Sequence, residues 1–373
     1  MMKDYLGKDI PKLGFGLMRL PMLGEEVDMP QVEKMVDRFM EAGFTYFDTA
    51  YVYINGKSET VAKEAIVKRY PRESFQLATK MPVWMVKKYE DFQGYFDTQL
   101  ERTGAEYFDF YLLHSLDAGK AKEVEEVGGW DFVQDMKNKG LIKHFGFSFH
   151  DKAEVLDEIL TKHPEAEFVQ LQINYVDWEN EEVQSRLYYE VARKHNKPIL
   201  IMEPIKGGSL AGLTPDIQKM YKEVNPELSI ASWAIRYAAS LEGVITVLSG
   251  MSTMEQMEDN LSYMKNVNPL NEEEYAIIQK AVEEMEKIPT IPCTACKYCV
   301  DDCPQHINIP GAFGSMNEYK VYQNLESSKG SYVWNIGGGG KASDCIACGS
   351  CESHCPQHIE IIETLKEVAA VLE

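Results

Sequence analysis

The stretch FTYFDTAYVYINGKSETVAKEAIVKRYPRESFQLATK, residues 44–80, reads as strand, loop, helix and strand. Its ends, FTYFDT (44–49) and FQLATK (75–80), are short aromatic and apolar runs, whereas KSETVAKEAIVKRY (57–70) repeats apolar residues at helical spacing. Two strands joined through a helix lie parallel, with a right-handed crossover. The alternation continues on both sides. LGFGLM (13–18) precedes it, and FDFYLLH (108–114), KHFGFSF (143–149), FVQLQIN (168–174), PILIME (198–203) and VITVLSG (244–250) follow. Helical patterns such as PQVEKMVDRFMEAG (30–43) and DKAEVLDEILTKH (151–163) separate most of them. Asp151 is expected to cap its helix, and Gly43 and Gly140 to end theirs in the left-handed conformation. Eight such units over about 250 residues predict a closed (β/α)8 TIM barrel. An open doubly wound sheet is the competitor, but Gly14 and Gly16 lack the third glycine of its phosphate turn.

In such a barrel the chemistry gathers at the C-terminal strand ends. Asp48 ends the second run, Tyr53 lies in the loop beyond it, Lys80 ends the third run and His114 the fourth. These four side chains, on neighbouring strands, are expected to converge. They suit carbonyl reduction, in which a hydride reaches carbon and the oxygen gains a proton. Tyr53 is the acid, and the Lys80 ammonium is expected to lower its pKa by stabilising the phenolate. The Asp48 carboxylate keeps Lys80 charged and oriented, and an imidazole N–H of His114 polarises the carbonyl oxygen. A lone lysine at a strand end or a lone histidine after YLL is more often structural. The joint placement carries the expectation.

FDTAYVYINGKSE (47–59), LATK (77–80), YLLH (111–114) and GFS (146–148) resemble the aldo/keto reductase family over about residues 10 to 265. The resemblance implies an NAD(P)H-dependent reductase with Tyr53, Lys80, Asp48 and His114 as its tetrad and the nicotinamide across the barrel mouth. It implies that Ser148 and Gln170 hold the carboxamide and that the loop Glu203 to Leu210, with Pro204 and Gly207, clasps the pyrophosphate. The segment Ser249 to Asn260 takes the adenosine end. Three positions depart from the family. Phe149 stands where many relatives place Asn, Met202 where many stack an aromatic ring on the nicotinamide, and Gln256 where a basic residue often pairs with the 2′-phosphate. Both NADPH and NADH therefore stay open as cofactor.

The chain has 373 residues and a net charge of −21, an acidic surface that repels nucleic acid and anionic membrane. No apolar run approaches the roughly 20 residues of a membrane helix. The start, MMKDYLGKDIPKLGFG, lacks the apolar centre of a secretory signal, so a cytoplasmic location is expected. All eight cysteines lie between Cys293 and Cys355. Their onset, after the acidic helical pattern Asn271 to Lys287, divides the chain near Ile288 into a barrel, 1–288, and a ferredoxin-type domain, 289–373.

C-x2-C-x2-C-x3-C-P occurs twice in that second part, as Cys293, Cys296, Cys299, Cys303 and as Cys345, Cys348, Cys351, Cys355. The first three thiolates of each motif wrap one cubane, and the fourth, turned away by its proline, reaches the other. One 4Fe-4S cluster therefore takes Cys293, Cys296, Cys299 and Cys355, and the second takes Cys345, Cys348, Cys351 and Cys303. Zinc is the alternative, but four ligands in two pairs do not call for the third close cysteine or the repeated proline. The spacing resembles two-cluster bacterial ferredoxins, a module expected to have no core of its own. His306 and His358, in the repeated CPQHI, are read as packing or capping residues. Between the motifs, Tyr319, Tyr322, Tyr332 and Trp334 are expected to pack the module or meet a partner, and GGGG (337–340) to form a mobile hinge.

Hydride transfer moves two electrons and each cluster moves one, so something must split the pair. A flavin between them, or a substrate with a stable radical form, would do so, although no flavin fingerprint is visible. Resemblance to iron–sulfur aldo/keto reductases spans the whole chain. The expected function is NAD(P)-linked interconversion of a small carbonyl and its alcohol, with the clusters relaying electrons to or from a ferredoxin-like or flavoprotein partner. The alternatives are an electron carrier whose barrel is a docking platform, and a reductase whose clusters only hold the fold. Met81, Trp84 and Met85 suggest an apolar rim for the substrate.

Overall fold

The computed structural model describes residues 5–181, 183–300 and 303–373. Eight parallel strands close into a barrel and follow one another around it in chain order. They are β1 (Leu13–Gly16), β2 (Tyr46–Asp48), β3 (Gln76–Met81), β4 (Phe108–Leu116), β5 (Ile142–Phe149), β6 (Phe168–Gln172), β7 (Ile199–Met202) and β8 (Val244–Ser249). β1 pairs with both β2 and β8, which completes the ring. The intervening helices include α1 (Met29–Glu41), α2 (Ser58–Ala62), α3 (Tyr89–Thr103), α4 (Ala118–Glu126), α5 (Gly129–Asn138), α6 (Ala153–Lys162) and α7 (Ser185–Lys194). The predicted TIM barrel is therefore the fold, and all eight strands coincide with the eight runs.

Local details differ from the sequence expectations for identifiable reasons. β4 runs past His114 to Leu116, with a register shift between Leu113 and Leu116 and a left-handed Ser115. Gly43 and Gly140 do adopt positive φ after α1 and α5. Asp151 does not cap α6. The extended Lys152 between them places Asp151 one residue too early, and its carboxylate accepts from the Ala118 N–H at the start of α4 (2.8 Å) and from Lys152 N–H (2.8 Å).

Strand side chains alternate between faces, so the inner row can be counted off in steps of two. Tyr46, Ala78, Phe110, Leu112, Phe168, Leu200, Ile245 and Leu248 pack together as an apolar plug. Two residues beyond inner positions Tyr46, Ala78, Leu112, Gly146, Phe168 and Leu200 stand Asp48, Lys80, His114, Ser148, Gln170 and Met202. The polar layer is thus one step above the plug. Gly146 is required for steric reasons, because a Cβ there would lie 2.2 Å from the Phe168 carbonyl oxygen of the paired strand.

By internal contacts the chain forms two compact units, Met1–Pro204 with Ala234–Leu270, and Ile205–Trp233 with Asn271–Glu373. The first holds the barrel strands. The second adds Ile205–Trp233 and the helix Glu272–Glu286 to the cysteine region. This unit has its own core, in which Ile307, Ile309, Phe313, Met316, Tyr332, Leu365 and Val368 surround the buried Cys299 and Cys351. The coreless expectation is corrected by the long insert between the motifs, which supplies two helices, Ile309–Tyr322 and Leu325–Ile336.

The hinge expectation fails as well. YVWNI closes the second of those helices, and Gly337 ends it with positive φ. Gly339 and Gly340 run against the backbone of Gln305 and His306, where a Cβ would stand 2.5 and 2.2 Å from the carbonyl oxygens. Tyr332 is buried and its hydroxyl donates to Glu373, whereas Trp334 is 84% exposed. Among the described residues no helix is long and apolar enough to cross a membrane.

Replacing Gly146 by Ala is expected to lower stability by about 2–3 kcal/mol, read as a reduced urea midpoint, because the new methyl group must displace backbone. An unchanged midpoint would show that β5 and β6 are not so closely paired.

Candidate functional site

Lys80 is the centre of the polar layer. Its side chain has no exposed surface, and its ammonium donates to Asp48 Oδ2 (2.6 Å) and to the Thr49 carbonyl (2.8 Å). A buried cation is tolerated only when paired in this way. Burial works against the Lys80 charge, but the Asp48 carboxylate and Tyr53 outweigh it and raise the pKa of the ammonium. Burial likewise lifts the Asp48 carboxyl, against the opposing pull of Lys80.

Tyr53 joins this pair. The Lys80 ammonium stands 4.7 Å from the centre of the Tyr53 ring. Lys80 pulls the phenol pKa down as expected, but burial is the larger effect and the net shift is upward. The expectation of a lowered pKa is corrected on that ground, and Tyr53 is a phenol that stays protonated at neutral pH. His114 meets the Tyr53 ring edge-on at 5.9 Å, and Trp84 lies 5.2 Å from the same imidazole. Burial and then Lys80 hold the His114 pKa well below its ordinary value, so the ring is neutral and carries one N–H. Its Nδ1 is buried with no protein partner among the described residues.

The other sequence-derived positions divide into three groups. Ser148 Oγ accepts from the Ser115 N–H (2.7 Å), which leaves its hydroxyl hydrogen to donate. Gln170 donates to the Met202 sulfur (3.4 Å), and its Oε1 is buried without a protein partner among the described residues. These three share the inner layer with the tetrad. Ser249 and Asn260 are buried and bonded to each other (2.9 Å), and the Gln256 side-chain oxygen accepts from Ser252 N–H (2.7 Å). Pro204 ends the first stretch of the barrel unit, and Gly207, with φ 67, belongs to the second unit. Phe149, the departure beside Ser148, is fully buried and packs edge-on against Phe147 and Tyr188.

In the second unit the eight thiols surround two cavities. Cys293, Cys296, Cys299 and Cys355 line one, and Cys303, Cys345, Cys348 and Cys351 line the other. Membership is crossed between the motifs, as the spacing predicted. No three His, Cys, Asp or Glu side chains among the described residues close on a point suited to a single ion. The thiols stand around a space. Matching left-handed residues in the two halves wrap the chain about it: Ala295 and Ala347, Lys297 and Gly349, His306 and His358.

Sequence reasoning missed Gln99. It occupies the buried face of α3 with Phe92 and Phe96, and a polar residue on that stripe is the signal that marked it. Ser58 and Glu59 stood inside the quoted motif without a role, yet both are fully buried.

A closed barrel with this acid, ammonium and imidazole at one layer defines an oxidoreductase, and comparison with known proteins gives its family. Residues 12–283 match the model of the Aldo/keto reductase family, and residues 292–360 match that of the 4Fe-4S dicluster domain. The chain belongs to the aldo/keto reductase family and carries a 4Fe-4S dicluster domain. It is 24% identical over 322 residues to the uncharacterized oxidoreductase YqkF of Bacillus subtilis, spanning 76% of this chain and 97% of that one. It is 26% identical over 246 residues to 9,11-endoperoxide prostaglandin H2 reductase of Trypanosoma cruzi, spanning 64% and 77%. Among solved structures it resembles an aldo-keto reductase from Klebsiella pneumoniae in complex with NADPH, with a TM-score of 0.60 and 19% identity over 73% of this chain and 90% of that chain.

If the four thiols around each cavity hold one cluster, Cys303→Ser and Cys348→Ser should erase the same cluster signal from the EPR spectrum of the dithionite-reduced protein, and Cys293→Ser the other. Pairing of Cys303 with Cys293 in that experiment would contradict the crossed arrangement.

Proposed function

We propose that the protein is an NAD(P)H-dependent reductase interconverting an aldehyde or ketone and its alcohol, with two 4Fe-4S clusters that relay electrons to or from a redox partner. The observation that carries the reductase reading is the buried Asp48–Lys80 ion pair with the Tyr53 ring over the ammonium. The neighbouring groups fit a primary carboxamide. The Ser148 hydroxyl can donate to the carbonyl oxygen of such an amide and the partnerless Gln170 Oε1 can accept from one of its two N–H groups. Met202 would cover the ring face with a soft sulfur. Gln256 brings no charge to a 2′-phosphate, so NADPH and NADH are both candidates. Ser249 and Asn260, engaged with each other, would support the adenosine end.

A bound nicotinamide supplies the hydride. Tyr53 gives its proton to the carbonyl oxygen and is left as phenolate, which the Lys80 ammonium stabilises. Asp48 holds that ammonium charged and aimed. The neutral His114 N–H hydrogen-bonds the same oxygen as negative charge develops on it. Trp84, beside His114, and Met85 would border the substrate with apolar surface, whereas Met81, the fully buried neighbour of inward-facing Lys80 on β3, turns to the opposite face and is removed from that expected rim. The cavity thiols fit the cysteine-ligated cubanes, whose chemistry is one-electron transfer. The alternative in which the clusters only hold the fold draws on the packing of Cys299 and Cys351 within the core of their unit.

Tyr53→Phe is expected to lower kcat for aldehyde reduction by at least about 100-fold, the usual contribution of a positioned acid, with little change in dinucleotide affinity. Because the phenol pKa is raised, the acid form persists as pH rises, and reduction should decline only above about pH 10. Full activity in the variant, or a decline already near neutrality, would refute the assignment. For the relay, NADPH or NADH added anaerobically, alone, with substrate, or with a flavin that can take the hydride and release its electrons singly, should in at least one case produce the EPR signal of reduced clusters; clusters that stay oxidised in all three would favour the structural role.

A further inference from the structure

Behind the tetrad, on the outer face of the same strands, lies a second polar cluster that the reaction does not use. Glu59 is at its centre, with no exposed side-chain surface. Its Oε1 accepts from Thr79 Oγ1 (2.7 Å) and Gln99 Nε2 (2.9 Å), and its Oε2 lies 3.6 Å from Arg102 Nη1. Gln99 also donates to the Lys80 carbonyl (3.0 Å) and accepts from the Tyr111 hydroxyl (2.6 Å). Ser58, the preceding residue, donates through Oγ to the Leu17 carbonyl (2.9 Å) and through its backbone N–H to the Tyr53 carbonyl (3.2 Å), and its Oγ lies 2.7 Å from Thr49 Oγ1. Arg102 donates to the Tyr51 carbonyl (3.3 Å) and its guanidinium stands 4.2 Å over the Tyr51 ring.

Apart from the Ser58–Leu17 bond, these contacts lead to the strands and the loop that carry the tetrad. Thr49, adjoining Asp48, supplies the carbonyl that receives the Lys80 ammonium. Thr79 precedes Lys80 on β3. Tyr111 lies on β4, which carries His114. Ser58 and Arg102 hold the loop that carries Tyr53. That loop is the weak member, because Tyr53 sits on no strand, and a donor that drifts by an ångström loses its reaction geometry. A buried carboxylate is a demanding choice for plain packing, since desolvation opposes its charge and two hydrogen-bond donors and an ion pair are spent on holding it.

We propose that Glu59, with Gln99 and Arg102, is a positioning residue for proton delivery: it ties the Tyr53 loop to the strands of Lys80 and His114 and fixes the phenol beside the ammonium. The proposal rests on the reductase reading of the tetrad and adds to it three residues that touch neither substrate nor cofactor.

The test uses the full chain, loaded with both clusters. Glu59→Gln keeps the shape and removes the charge. It is expected to lower kcat for aldehyde reduction at least tenfold per iron-loaded molecule while the Kd values for NADPH and NADH stay within twofold of the parent. In its crystal structure the Tyr53 ring should stand farther than 4.7 Å from the Lys80 ammonium. Parent-like kcat with Tyr53 in place would overturn the proposal, as would a loss of dinucleotide affinity equal to the loss of kcat, which would mark general damage. Should Glu59→Gln not fold, Arg102→Gln leaves Thr79 and Gln99 bonded to the carboxylate, and a threefold or larger loss of kcat at unchanged dinucleotide Kd is expected; parent-like kcat there would also overturn the proposal. If the parent chain reduces no aldehyde or ketone, the reductase reading fails by itself, and the Tyr53–Lys80 distance in the variant structures still decides the positioning claim.

Discussion

A lysine ammonium with no exposed surface must be matched by negative charge and hydrogen bonds, or the protein would fold around a neutral amine. In this barrel that demand ties together two strand ends and a loop. The pairing of Asp48 with Ala78 across β2 and β3 places Lys80 one inner step beyond, where it reaches Asp48 and the Thr49 carbonyl together. Slipping that register by one residue would turn Lys80 to the helix face. Tyr53 and His114 then acquire their protonation states from the same burial, the phenol kept protonated and the imidazole kept neutral. Burial thus sets the acid and the hydrogen-bond donor on which the proposed chemistry depends, with the Lys80 charge opposing it at Tyr53 and reinforcing it at His114.

The cysteine unit meets a different demand. Four thiols must be spread around a space, so the chain bends through left-handed residues that include Ala295, Lys297 and Ala347, where a side chain costs about 1 kcal/mol or more. Metal–thiolate bonds offset such strain in proteins of this kind, and they also couple the fold to cofactor content. The insert between the motifs adds an apolar core that a minimal dicluster module does not need. That extra core makes the unit less dependent on its clusters than cysteine spacing alone would indicate.

Much of this was legible in the sequence because it rests on periodicity and spacing. Steps of two along FQLATK and YLLH put Lys80 and His114 inside, and the repeated cysteine motif anticipated the crossed cavities. The features that escaped rest on balances between competing forces. The Tyr53 pKa depends on burial exceeding the pull of Lys80, which no spacing reveals. The GGGG run looked like a hinge because composition does not show that the Gln305 and His306 carbonyls press against it. Asp151 failed as a cap through the extended backbone of one residue, Lys152. Gln99 carried a readable signal, a polar residue on an apolar helix stripe, and its partner Glu59 became meaningful only once β3 and α3 were seen side by side.

The most direct test is a crystal structure of the anaerobically purified protein with oxidised nicotinamide dinucleotide bound. The account predicts the carboxamide bonded to Ser148 and Gln170, with the reactive face of the ring turned toward the Tyr53 hydroxyl and Lys80 still on Asp48. A dinucleotide bound elsewhere, or a Tyr53 hydroxyl turned away from the ring, would contradict it.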